Sequence, residues 1–128
     1  MKSKYSFEKK ENYLLLTITG DYAKEDFIAY ADIILEHCEK ENFKKILVDT
    51  LNVTYTNLAT MDRFFIGENL ANVLGPKIKL TMVMPKEHIN KFAENVAVNR
   101  GGKVFVTNSV ETAEDWLLND TKKNVFLL

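Results

Sequence analysis

The residues able to do acid–base or nucleophilic chemistry are few, and they are scattered along the chain. Asp49 closes the apolar run KILVDT, and His88 follows the run KLTMVMP. Two such groups, brought within hydrogen-bond reach of one substrate beside a hydroxyl, would make a small general acid–base site. His88 alone, in the first turn of a helix, could bind an anion or shuttle a proton; the simpler reading is a solvated histidine next to Glu87. Cys38 follows His37, a pairing that can activate a thiol when the two side chains meet. Neighbours on a helix point about 100° apart, however. Cys38 also falls on an apolar stripe with Phe27, Ala31 and Ile34, so it reads as a small core residue. The sequence has no glycine-rich phosphate loop, nucleophile elbow, His-Glu-x-x-His or Cys-x-x-Cys pair. No catalytic residue, metal or cofactor is therefore expected.

The better candidates are for binding. Residues 45–68, KILVDTLNVTYTNLATMDRFFIGE, read as a buried strand, a polar connection and a helix start. Asn57, Thr60 and Asp62 crowd that connection and, with Asp49, could line a crevice at the strand ends, where open α/β sheets take ligands. The competing reading is that they satisfy turn amides and cap the helix. Met61 and Phe65 stand one turn apart. A helical wheel puts Ile66, Leu70, Val73 and Leu74 toward the core and sets Met61 and Phe65 opposite, beside Glu68 and Asn72. A methionine–aromatic pair on the wet side points to contact with a protein partner, a second copy of the chain (a homodimer) or a small apolar or anionic ligand. Alternatively, the apolar residues 125–128 fold over it. Asn95, Asn99 and Arg100 close another helix; Arg100 could fork to a carboxylate or phosphate, and the favoured reading is a cap on that helix's last carbonyls.

These residues need a scaffold. Strands are expected at residues 5–10 and 13–19, joined by the polar turn Lys10-Glu11-Asn12, so the chain opens with an antiparallel hairpin. A helix follows at 23–41, with Asn42 as its stop, then a strand at 45–50 and a connection at 51–59. Thr60 has the chemistry of an N-cap for a helix reaching about Leu74, before Gly75-Pro76. A strand at 77–84 leads to a helix that Pro85 opens and that runs to Arg100, with Ile89, Phe92, Ala93 and Val96 inward. A fifth strand spans 103–106. Asn108 and Glu111 have capping-box spacing for a last helix whose face is Val110, Ala113, Trp116 and Leu117. Residues 125–128 could add a terminal strand. Strands separated by helices pair in parallel through right-handed crossovers. The expected fold is α/β: a mixed, mostly parallel sheet with an N-terminal antiparallel hairpin and four helices.

The bulk numbers fit one domain. A chain of 128 residues with 46% apolar residues can bury a core without metal or disulfide. The net charge of −1 comes without a basic stripe, which excludes a nucleic-acid footprint. One cysteine cannot form an internal disulfide, and no apolar run reaches the length of a signal core or a membrane span. A cytoplasmic domain without stable membrane insertion is expected.

The element order and two segments, KILVDTLNVTYTNLATMDRFFIGENLA and INKFAENVAVNRGGKVFVTNSVETAEDWL, resemble the STAS-domain family over roughly residues 5–118. That family includes the bacterial anti-sigma-factor antagonists; the second segment looks like a subgroup of short, STAS-SEC14-like bacterial proteins. The resemblance implies a non-catalytic regulatory domain that engages partners around the start of the second helix. In the antagonists, the turn before that helix carries Asp-Ser-Ser-Gly, and one serine is phosphorylated to switch partner binding. Here Asn57-Leu58-Ala59-Thr60 stands at that turn. Asn57 replaces the aspartate and Ala59 replaces the phosphorylated serine, so the serine switch does not carry over. Thr60 is the nearest hydroxyl for a shifted phosphorylation.

Overall fold

The computed structural model describes residues 1–119. They form β1 (Ser3–Lys9), β2 (Leu14–Asp21), α1 (Lys24–Glu41), β3 (Lys45–Thr54), α2 (Thr60–Leu74), β4 (Lys79–Val83), a 3-10 turn (Lys86–His88), α3 (Phe92–Asn99), β5 (Lys103–Thr107) and α4 (Val110–Leu118). The strands make one sheet in the order β1-β2-β3-β4-β5. The β1–β2 pair is antiparallel and the other pairs are parallel, as the element order predicts. The strand expected at residues 125–128 lies outside the described residues.

Helices α1, α2 and α3 cover one face of the sheet. Leu14, Leu16 and Ile18 of β2, Ile46 and Val48 of β3 and Leu80 of β4 are buried against Phe27, Ile34, Cys38, Leu70 and Leu74. Among the described residues, helix α4 alone covers the other face, placing Ala113 and Leu117 on Leu47, Val83 and Tyr13. Alternation along β3 explains the division: Ile46 and Val48 point to one side and Leu47 to the other, so this strand is apolar on both. Val110, expected in the α4 face, is instead exposed, while Trp116 is half-buried and stacks on Phe105 at 5.2 Å.

Several boundaries differ from the sequence expectation, three of them by more than a slip at a strand end or with a consequence for the site. Strand β3 runs past Thr50 to Thr54, because Asn52, Val53 and Thr54 continue the ladder with Thr19, Gly20 and Asp21 after a register shift. The expected helix 85–100 is broken. Lys91 takes a left-handed conformation (φ 66°), and Asn90 Oδ1 accepts the Phe92 amide at 3.0 Å, so α3 starts only at Phe92. The break resets the helical phase and leaves Phe92 exposed rather than inward. The caps also shift by one. Ala59, not Thr60, holds the N-cap of α2, and Ser109, not Asn108, caps α4 by accepting from the Thr112 amide at 3.2 Å.

Candidate functional site

The β3–α2 connection and the β4–α3 connection both emerge at the C-terminal edge of the parallel strands. Tyr55, just past β3, anchors the first. Its hydroxyl donates to Thr50 Oγ1 at 2.6 Å, and Thr50 donates in turn to the Val83 carbonyl at 2.8 Å. Burial pushes the Tyr55 hydroxyl well above the ordinary tyrosine range, although the Thr50 bond and the Arg63 charge work to lower it. The ring packs on Phe27 and Tyr22 and meets His88 at 5.3 Å. Tyr22 in turn donates to Asp62 Oδ2 at 2.9 Å, tying the first turn of α2 to the end of β2. Burial, then the Asp62 bond, also raise the Tyr22 hydroxyl.

Between α2 and α3 these connections enclose a small apolar cavity of about 40 Å³, room for only a few waters. Tyr55, Leu58, Ile66, Met82, Met84 and Ile89 form much of its wall. Arg63 stands at the cavity and donates to Asn90 Oδ1 at 3.1 Å, joining α2 to the connection before α3. Lys91 also lines it. Its ammonium is held by Glu94 at 3.1 Å and by the Val106 carbonyl, and it lies 4.7 Å from the Phe105 ring centroid. Deeper in the seam, a Cβ added to Gly67 would meet the Ala93 carbonyl oxygen at 2.4 Å. Only glycine allows α2 and α3 to approach this closely.

The candidate residues from sequence fall into three groups. Asn57, in the left-handed region (φ 59°), and Asp62 line an open polar crevice with Tyr22, Lys24 and Thr56. Thr60 is exposed at the first residue of α2. Met61 and Phe65 share the outer side of α2 and are 58% and 39% exposed; Lys24 Nζ lies 5.8 Å from the Phe65 ring centroid. His88 is half-buried on Tyr55 and does not line that polar crevice.

Asp49 and His88 do not form an acid–base pair. Alternation puts Asp49 on the α4 side of β3 with Leu47, and its Oδ1 accepts the Leu51 amide at 3.0 Å. Cys38 is fully buried, and burial followed by the Glu39 charge pushes its thiol up to about 11. Its neighbour His37 stacks on Phe7 instead, at 3.8 Å. Arg100 does not serve its own helix alone: its side chain reaches Glu68 at 3.7 Å and the Phe64 ring at 5.2 Å. Among the described residues, no group of histidine, cysteine and carboxylate side chains could hold a metal, and no helix is long and apolar enough to cross a membrane.

No family model matches the chain, and no curated protein matches it. Solved structures do. An anti-sigma factor antagonist from Mycobacterium paratuberculosis superposes with a TM-score of 0.60 at 9% identity, over 90% of this chain and 93% of that one. An uncharacterised Shewanella loihica protein with a SpoIIAA-like fold gives 0.52 at 18% identity, over 90% of this chain and 93% of that one. A variant of RsbS from Moorella thermoacetica gives 0.52 at 14% identity, over 98% and 99%. The chain has the STAS fold. At these identities the likeness carries the architecture, with its opening hairpin and its polar turn into the second helix.

Tyr22, Tyr55, Arg63, Asn90 and Glu94 were not singled out from sequence. The Lys91–Glu94 spacing of three is a readable helix-start pair. The tyrosines flank strand ends, where an aromatic with a hydroxyl tends to find a partner. Arg63 and Asn90 carry no local signal, since they meet only through the tertiary fold.

Proposed function

We propose that this chain is a non-catalytic, cytoplasmic regulatory domain that captures a protein partner. The partner docks on the outer side of α2 and the connection before it. The observation that carries this reading is the exposed Met61–Phe65 pair. The opposite side of α2 is already occupied by Ile66, Leu70 and Leu74 in the core. Solvent-facing methionine and phenylalanine beside a loop are what binding surfaces are made of. The likeness to an anti-sigma factor antagonist and to RsbS supports a regulatory role. The separation of Asp49 from His88 supports the non-catalytic half. Asn57 and Asp62 supply polar rim contacts, and His88 stiffens Tyr55 from behind. Thr60 is the hydroxyl of this surface that a kinase would reach, and a phosphate there would sit at the positive end of α2.

A second reading rests on the cavity between α2 and α3. Its apolar wall, with Arg63 and Lys91 beside it, would take a small apolar ligand with an anionic group only if α2 and α3 part, because the closed cavity of about 40 Å³ holds only a few waters. The two readings separate experimentally. A photo-crosslinking residue at position 61 or 65, in the native host, should join the chain to a protein of different sequence; the same residue at exposed Val110 should not. Phe65→Ser should abolish capture at a stability cost of at most about 1 kcal/mol, as for a surface site. A loss of several kcal/mol would make Phe65 a core residue and end the docking reading.

A further inference from the structure

Among the described residues, strand β1 is an edge of the sheet. Its side chains divide cleanly. Ser3, Tyr5, Phe7 and Lys9 face α1: Ser3 bonds Asp26, Tyr5 packs on Tyr30 at 5.5 Å, Phe7 on His37 at 3.8 Å, and Lys9 pairs with Glu41 at 3.3 Å. Lys4, Ser6 and Glu8 are exposed on the other face. The backbone divides in step. The Lys10 amide donates to the Tyr13 carbonyl at 2.9 Å. Antiparallel alternation then turns the amides of Lys4, Ser6 and Glu8 toward β2 and those of Ser3, Tyr5 and Phe7 away from it. The Ser3 amide fits this rule, since it reaches Asp26 at 2.9 Å. The N–H and C=O groups of Tyr5 and Phe7 therefore point off the sheet.

We infer that β1 pairs with β1 of a second copy of this chain, antiparallel and centred on Ser6, so that the sheet continues across a two-fold axis. The sequence of the strand, SKYSFEK, is self-complementary about that centre. Lys4 falls opposite Glu8 of the second copy, and Glu8 opposite its Lys4. Tyr5 falls opposite Phe7 of the second copy, joining two aromatic rows over the α1 helices. The outward amides and carbonyls of Tyr5 and Phe7 form the ladder bonds. Sliding the register by two residues one way sets Lys4 against Lys10 of the second copy; sliding it the other way pairs Glu8 only with Lys2, which lies outside the strand, so fewer strand residues pair. Glu8 already meets Lys10 of its own chain at 2.8 Å, and as an exposed carboxylate it can accept from both lysines. Edge lysines more often guard a strand against pairing. Here the only register that pairs the whole strand matches Lys4 with a carboxylate, while Lys9, opposite Ser3, keeps Glu41 of its own chain. A seven-residue joint is short, so the dimer is a weak, reversible one.

The test is sedimentation of the full chain across roughly 10 µM to 1 mM. The expected result is a concentration-dependent dimer. Lys4→Glu or Glu8→Lys alone sets like charges against each other at both ends of the joint and should weaken association roughly tenfold. Mixing the two single variants should restore it as a heterodimer, because both pairs are then opposite in charge. Tyr5→Pro, which removes an outward amide without touching the β2 ladder, should abolish it. Circular dichroism would confirm that each variant is folded. The inference does not depend on the α2 docking surface, and Phe65→Ser should leave the dimer unchanged. A monomer throughout the range, a mixture that fails to associate, or a dimer lost with Phe65→Ser but indifferent to Lys4→Glu would overturn it.

Discussion

The seam between β1 and α1 and the seam between α2 and α3 are closed in different ways. Along β1–α1, polar groups are buried and satisfy one another. Asp26 accepts the Ser3 amide and hydroxyl at 2.9 and 2.8 Å, and that hydroxyl meets the Tyr30 hydroxyl at 2.5 Å. Along α2–α3, the helix backbones touch at Gly67 and Ala93, then part around an apolar cavity, with polar links at its rim (Arg63–Asn90) and at the far end of α3 (Arg100–Glu68). Among the described residues, no buried side-chain nitrogen or oxygen lacks a hydrogen-bond partner. The first seam is thus specified by polar matching, which tolerates no loss of a member. The second is specified by shape, which tolerates no added atom but leaves room at one end. A regulatory surface belongs beside the second kind, where local opening does not break buried hydrogen bonds.

The largest expected effect breaks the first seam. Asp26→Ala leaves the Ser3 amide and hydroxyl buried without their acceptor, and should cost about 2–3 kcal/mol in urea unfolding. The pH dependence follows from the same contacts. Burial alone would raise the Asp26 carboxyl, but the Ser3 amide and hydroxyl outweigh it and hold the carboxyl below its usual range. A carboxyl lowered on folding stabilises the protein above the unfolded carboxyl range, and that contribution fades as pH falls through the lowered folded value. Wild type and Asp26→Ala should therefore differ most near neutral pH and converge in acid. Equal loss at every pH would mean that the seam depends on packing alone.

The next effect tests the second seam. Gly67→Ala gains about 1 kcal/mol of helix propensity but drives a methyl into the Ala93 carbonyl, an overpacking that costs roughly 1–3 kcal/mol. A net loss of about 0–2 kcal/mol is expected. If the variant is instead more stable than wild type, the helices have room to part and the seam is not held by contact at this glycine.

What the sequence revealed about these seams follows the range of the forces involved. The apolar runs of β2 and β3 and the stripe of α1 are local patterns, and the strand directions follow from the element order they define. The exposed Met61–Phe65 pair was also legible, because one helix carries both its core side and its wet side. Lys91 broke the expected third helix through contacts with Glu94 and Val106, the latter on a strand fifteen residues away. Tyr22–Asp62, Arg63–Asn90 and Ser3–Asp26 join residues 40, 27 and 23 positions apart. No periodicity can announce such pairs. The polar fittings of the site were therefore hidden, while its apolar surface was not.

The smallest effect sharpens the comparison within the α2 side itself. Tyr22→Phe keeps the ring on Phe27 and Tyr55 but removes the hydroxyl that donates to Asp62. Asp62 borders an open polar crevice, so water can replace the lost donor. The global cost should stay near 0.5–1 kcal/mol, the net worth of one hydrogen bond. The local consequence should be larger, because this bond ties the first turn of α2 to the end of β2. The Arg63 amide, which closes that turn on the Ala59 carbonyl at 3.2 Å, should exchange with solvent about threefold to tenfold faster, while the amides of β2 and α1 keep their protection. If exchange instead rises equally across the sheet, Tyr22 supports the whole fold rather than the start of α2. That outcome would place the connection on the rigid side of the comparison.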